Sequence, residues 1–302
     1  MGELKFGVMF YSWQWQDAEK AEELGYDSVW TGEHIFFHRP TFDAPTLLAA
    51  LAARTRRVKL GTAVLLLPLR PPAVTAKEIA SVDIISGGRV ILGIGIGGEY
   101  PKEFIACGVP HNERGPRANE AMQVLRKLWS EDHVTFKGRF YEMEDVTLMP
   151  KPVQPGGPPI WVAGRSEAAM RRAGRLGDGY LPYLFSPERY RDSLAKVRLH
   201  ALAAGRDPEA IEPALFQFIC LADSYQEARQ TAAADLQQRY AQSFEQIVER
   251  YCVLGTPDDC LGRLQEFAEA GVRHFVLAPI TPEGEFMRHA EVYAREILPR
   301  LR

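Results

Sequence analysis

Short apolar runs alternate with longer amphipathic ones along this chain, and the alternation predicts strands and helices in turn. Leu4 to Phe10 reads as a first strand, and Asp17 to Leu24 as a helix with Ala18, Ala21 and Leu24 on one face and Gly25 closing it. Asp27 to Trp30 is a second strand, followed by a loop from Thr31 to Asp43. Helix Pro45 to Arg54 then leads to strand Val58 to Leu65, and helix Ala73 to Ile85 leads through Ser86-Gly87-Gly88 to strand Val90 to Gly95. A long loop and helix Pro116 to Trp129 come next. Residues 131–158 break the rhythm, with a small hairpin around Lys137-Gly138-Arg139 and a Pro-rich connector.

The alternation resumes with strand Ile160 to Ala163, helix Ser166 to Leu176, strand Gly179 to Leu184 and helix Pro187 to Ala204. Leu215 to Leu221 is a seventh strand, with helical sequence from Tyr225 to Tyr251. Thr256 and Pro257 suit the cap and first position of another helix. His274 to Ala278 is the eighth strand, and Glu285 to Leu301 closes the chain. Several strands are apolar throughout, as in a parallel sheet covered on both faces by helices. Eight βα units favour closure into a single (β/α)8 barrel, residues 1–302, over an open sheet.

The bulk numbers narrow the function. A chain of 302 residues, 46% of them hydrophobic, can bury a large core. A net charge of −3 gives no electrostatic case for nucleic acid or an anionic membrane. Arg171, Arg172 and Arg175 cluster, and a solvated helix face accounts for them. Cys107, Cys220, Cys252 and Cys260 have neither CxxC nor zinc-like spacing and read as reduced thiols. Without a signal-peptide core or a membrane-length apolar run, a cytoplasmic protein is expected.

Chemistry in such a barrel belongs where strands run into the following loops. His34, after strand 2, is the best acid/base candidate, since its ordinary pKa lies near neutrality. Paired with His38 it makes only a distant case for a metal. Gly164-Arg165-Ser166 ends a strand and opens a helix, so free amides and the positive helix end can meet an anion. A plain Ser N-cap explains the same residues. Thr62-Ala63-Val64 is small and apolar, and Gly95 to Tyr100 follows strand 4. Phe10, Tyr11, Trp13 and Trp15 can line an apolar pocket or pack beneath the first loop.

In this order and spacing the segments resemble the luciferase-like monooxygenase superfamily, which includes bacterial luciferase and coenzyme F420-dependent oxidoreductases. The resemblance spans nearly the whole chain. It rests on Leu24 to Trp30 with Gly32-Glu33-His34, on Leu60 to Pro68, on Asp83 to Arg89 and on Leu92 to Gly95. It continues through Pro150 to Gln154, Pro159 to Gly164, Gly177 to Gly179 and Val253 to Pro257.

The resemblance implies a barrel with an insertion region, near 131–158 here, and a homodimer, for which the Ala- and Leu-rich helix 45–54 is a candidate contact. It implies that His34 handles a proton near the reacting ring of a flavin or deazaflavin. It places a non-proline cis peptide at Ala63-Val64 behind that ring, and a phosphate turn at Gly164 to Ser166. Thr62, Gly95, Gly97 and Tyr100 are expected to complete the cofactor site, and Phe10, Tyr11 and Phe37 a substrate pocket. Ile96 stands where some flavin-using relatives carry an arginine for the FMN phosphate. Coenzyme F420 is therefore preferred over FMN, with hydride transfer to or from a small hydrophobic organic substrate. The alternatives are an FMN-dependent two-component monooxygenase served by a separate reductase, and a non-catalytic flavin-binding barrel.

Overall fold

The structure, a computed structural model, describes residues 3–10, 15–240 and 243–302. Its twelve strands are β1 Lys5–Met9, β2 Ser28–Thr31, β3 Lys59–Thr62, β4 Leu65–Leu66, β5 Val90–Gly95, β6 Val134–Lys137, β7 Glu142–Val146, β8 Ile160–Val162, β9 Gly179–Tyr180, β10 Glu212–Leu221, β11 Val253–Gly255 and β12 His274–Pro279. The helices are α1 Ala18–Glu23, α2 Ala44–Arg54, α3 Pro72–Ser86, α4 Pro101–Ala106, α5 Arg114–Ser130, α6 Glu167–Leu176, α7 Pro187–Ala203, α8 Tyr225–Tyr240, α9 Val248–Tyr251, α10 Pro257–Glu269, α11 Phe286–Val292 and α12 Leu298–Leu301.

All pairings in the main sheet are parallel. They run β12-β1-β2-β3-β5-β8-β9-β10, and β10 pairs β12 to close the ring. This is the expected (β/α)8 barrel, with β3 and β4 acting as one interrupted strand. β6 and β7 form the expected antiparallel hairpin outside the barrel, but its second strand is Glu142–Val146 and not Phe140-Tyr141, which belong to the turn.

Side-chain alternation divides the core in two. Phe6, Val8, Val29, Leu60, Val90, Leu92, Ile160, Leu215 and Leu277 face the helices. Met9, Trp30, Ile91, Trp161, Phe218, Val276 and Ala278 face the barrel interior. Trp30 lies opposite Gly61, and Trp161 opposite both Gly93 and Gly179. A Cβ on Gly61 would sit 2.1 Å from the Trp30 ring, so glycine is what lets that ring fit inside. The two indoles lie 5.2 Å apart, with the His274 ring edge-on to both. Trp30 Nε1 donates to Ser28 Oγ at 2.7 Å, and Ser28 Oγ meets His274 Nε2 at 2.7 Å. Burial, aided by Lys5, drives the His274 pKa down to about 3, so the ring is neutral and shares one hydrogen with Ser28 Oγ. These groups plug the barrel below its mouth.

Several boundaries depart from the sequence reading. The strand expected over Gly179 to Leu184 ends at Tyr180. Pro182 cannot donate to a ladder, Leu184 has φ +53°, and Tyr183 keeps only one bridge, to Phe216. β11, read only as a motif, pairs with Ile219 to Leu221. The helix expected over Tyr225 to Tyr251 is α8 and α9, and the loop after strand 4 contains α4. The closing helix passes through a π turn at Tyr293–Ile297, beside Pro299, which cannot supply a helical N–H. Thr256 caps α10 with Pro257 at its start, as the sequence predicts, and the structure adds a reciprocal bond from the Thr256 amide to Asp259.

Candidate active site

The barrel's parallel order puts every strand's C-terminal end at one mouth, and His34 sits there in the loop after β2. Its ring stacks on Phe37, with centroids 3.9 Å apart and planes 7° from parallel. Its Nδ1 lies 3.3 Å from Glu103 Oε1. Glu103 is fully buried, and its other oxygen accepts from the Ile35 amide at 3.2 Å. An ionised carboxylate only accepts, so this contact places the hydrogen on Nδ1 and leaves Nε2 able to take a proton. Phe37 also meets His38 and Tyr240, and His38 lies edge-on to Tyr100. Three predicted residues, His34, Phe37 and Tyr100, thus share one aromatic rim.

The preceding residue anchors that rim. Glu33, 4% exposed, accepts from the amides of Leu66 and Ala44 and from Arg70. Arg70 also pairs with Asp43, the N-cap of α2. Burial opposes the charge on Arg70, but its bonds to Glu33 and Asp43 outweigh this and raise its pKa above the ordinary guanidinium range. The loop's far side is held by Arg39, which donates to Asp235 of α8 at 3.0 Å.

The Ala63-Val64 peptide between β3 and β4 is cis, as the resemblance implies. Ala63 and Val64 are half-buried. Thr62 is buried, and its hydroxyl donates to the Gly93 carbonyl at 2.6 Å, tying β3 to β5. Gly95 is the residue that lets β5 pass Val64, whose Cγ2 would lie 2.4 Å from an added Cβ. Gly97 has φ +60° and turns the chain out of the barrel.

Ser166 accepts from the Ala169 amide at 3.2 Å and caps α6. Gly164 has φ +131°, and a Cβ there would sit 2.7 Å from Ala169 Cβ. Among the described residues, the amides of Arg165 to Ala168 have no acceptor. Arg165 lies over the Tyr183 ring at 4.9 Å, and Tyr183 Oη donates to Glu99 at 3.0 Å. Burial, and then the Glu99 charge, raise the Tyr183 pKa. Next to Glu99, His111 Nε2 and Arg114 Nε are buried beside Gly98 with no partner among the described residues. Free amides and unpartnered nitrogens of this kind have the chemistry to meet a polar or phosphorylated group.

Phe10 stands apart from this site. It is 1% exposed and packs against Phe286 in the layer between barrel and helices. Trp15 packs in that layer too, under the Arg54 guanidinium. Tyr11 and Trp13 lie outside the described residues. Sequence reasoning missed Glu103, because α4 lies inside the stretch read as a long loop after strand 4. Its one signal is Pro101 at a helix start with a glutamate two residues on. It also missed Arg114 and Tyr183's link to Glu99, which depend on folded-state proximity.

A family profile described as luciferase-like monooxygenase matches residues 15–274. The chain belongs to that family. It is 32% identical over 315 residues to the F420-dependent glucose-6-phosphate dehydrogenase of Amycolatopsis mediterranei, covering 94% of this chain and 93% of that one. Among solved structures it is similar to the monooxygenase RslO1 from Streptomyces bottropensis, with TM-score 0.86, 29% identity and coverage of 98% and 99%. An F420-dependent secondary alcohol dehydrogenase in complex with an F420-acetone adduct shares the fold, with TM-score 0.89, 23% identity and full coverage of both chains. Among the described residues, no helix is long and apolar enough to cross a membrane.

Proposed function

We propose that this luciferase-like protein is a coenzyme F420-dependent oxidoreductase acting on a small hydrophobic alcohol or carbonyl compound. The observation that carries this reading is His34 at the barrel mouth, backed by the buried Glu103 carboxylate and stacked on Phe37. When bound, the deazaflavin supplies the hydride chemistry. His34 Nε2 takes or returns the proton of the substrate oxygen, and Glu103 fixes the ring and stabilises its charged form. Ala63, Val64 and Gly95 support the ring system, and Gly97 and Tyr100 border it. The amides after Gly164, with Arg165 and Ser166, hold the phosphate.

The aromatic rim excludes water and selects apolar substrates. A sugar phosphate, the substrate in the names of the F420-dependent relatives, would need free cations beside the aromatic rim, where Arg39 and Arg239 are both held by Asp235.

A second reading uses reduced FMN delivered by a separate reductase. Arg114 favours it by bringing a guanidinium to the edge where Ile96 leaves none. Titration of the apo-protein with oxidised and reduced F420 and FMN tests the choice. The proposal expects F420 to bind at least tenfold tighter than FMN, and the reverse order overturns it.

A homodimer is part of the proposal. The leucines of α2 and Ala49 pack inward, so the candidate contact is Ala50 of α2 together with exposed Val74, Ile84 and Ile85 of the neighbouring α3. A cytoplasmic location accords with four unpaired cysteines.

A further inference from the structure

The arginine cluster of α6 is not the solvated face its sequence suggests. Arg171 and Arg175 are exposed, but Arg172 is only 5% exposed and sits between α5 and α6. Its Nε donates to Asn119 Oδ1 at 2.6 Å, and one terminal nitrogen donates to the Gly115 carbonyl at 3.1 Å. The other terminal nitrogen is buried without a partner. Among the described residues no carboxylate pairs with any of the three arginines, and Glu167 is held by Lys196 and His200. Burial without a counter-charge lowers the Arg172 pKa to about 10.

A cleft of about 310 Å³ opens beside these groups, lined by Gly115, Asn119 and Gln123 from α5 and by all three arginines from α6. A second hollow, of about 450 Å³, continues past Arg171 and Arg175 to His200. Ala168, in the first turn of α6, also lines the cleft. The cleft therefore begins within one turn of the free amides after Gly164. A strut between two helices uses the two bonds Arg172 already makes. It explains neither the third nitrogen nor the two unpaired neighbours.

We propose that the α5–α6 cleft is a binding site for a chain of carboxylate or phosphate groups, with Arg172 as its floor and Arg171 and Arg175 as its walls. Two sources present that chemistry: the acidic oligoglutamyl tail of a deazaflavin cofactor whose phosphate sits at α6, and a free polyanion. The first source rests on the function proposed above, but the cleft does not.

Calorimetric titration of the full chain separates these cases. The probes are F420 with two and with six glutamates, the tail-free deazaflavin chromophore, γ-linked triglutamate and inorganic phosphate. R171Q/R175Q changes exposed residues only, and R172M is compared alongside it after a check of its folding by circular dichroism. The expected result is that longer tails bind wild-type protein more tightly and that R171Q/R175Q removes this dependence. The same variant is expected to weaken triglutamate at least tenfold and leave the tail-free chromophore unchanged. Failure of F420 to bind, with arginine-dependent binding of triglutamate or phosphate, keeps the cleft and overturns the cofactor reading. Unchanged affinities for every probe in R171Q/R175Q overturn the cleft, whatever F420 does.

Discussion

In the proposed function His34 and Glu103 act as a pair in which only His34 meets the reacting groups. H34A is expected to lower kcat by two orders of magnitude or more, roughly the range of a lost acid/base group. Cofactor affinity should hold within about threefold, because the phosphate turn and ring support are untouched. Stopped-flow turnover with parallel binding titrations checks this, and unchanged turnover removes His34 from the chemistry. E103Q deletes a charge-assisted hydrogen bond, so a loss on the order of tenfold is expected. The loss should fall on kcat, with KM and cofactor affinity held within about threefold, since Glu103 acts only through the His34 ring. A purely structural Glu103 would raise KM and weaken cofactor binding as well.

His274 makes a prediction of a different kind. Its folded pKa is about 3, below the ordinary value of 6.5. Both states are neutral above pH 6.5, and between there and pH 3 only the unfolded state gains the proton. This residue alone should therefore cost about 1.4 kcal/mol of stability per pH unit as pH falls through that window. Denaturant melts of H274N and wild type at pH 6, 5 and 4 should differ by that slope. Parallel pH profiles would contradict the assignment.

At the scale of elements, the apolar runs made the strands readable, because a parallel strand buried on both faces has to be apolar throughout. Helices α2, α3, α5, α6 and α7 were legible from their caps and prolines. The short β11 and the helix α4 inside the loop after strand 4 were not. Many motifs behind the family resemblance lie at the far end of the barrel from the site. Asp83 accepts from Gln154, Asp178 from the Ile160 amide, and Arg89 caps the carbonyl end of α2. They announced the fold more directly than the chemistry. The glycine–tryptophan pairing inside the barrel was also invisible, since register decides which glycine faces which ring. G61A should lower stability by about 1–3 kcal/mol through overpacking against Trp30. Thermal melts test this, and an unchanged Tm would mean the barrel yields there at no cost.

At the scale of the whole molecule, the exposed apolar residues of α3 predict a dimer. Small-angle scattering at working concentration should return twice the chain mass. A V74E/I85E variant should return the monomer mass with His34 chemistry retained if the mouth is complete in one subunit. A monomeric wild type would show that this face has another use.

The plug formed by Trp30, Trp161 and His274 has a kinetic consequence. A barrel stopped from below is a well with one doorway, so whatever settles deepest has to arrive first and leave last. Cofactor and substrate then cannot bind in random order. Initial-velocity patterns should be those of a compulsory queue, with the substrate's product released before the cofactor and dead-end inhibition when excess substrate occupies the doorway.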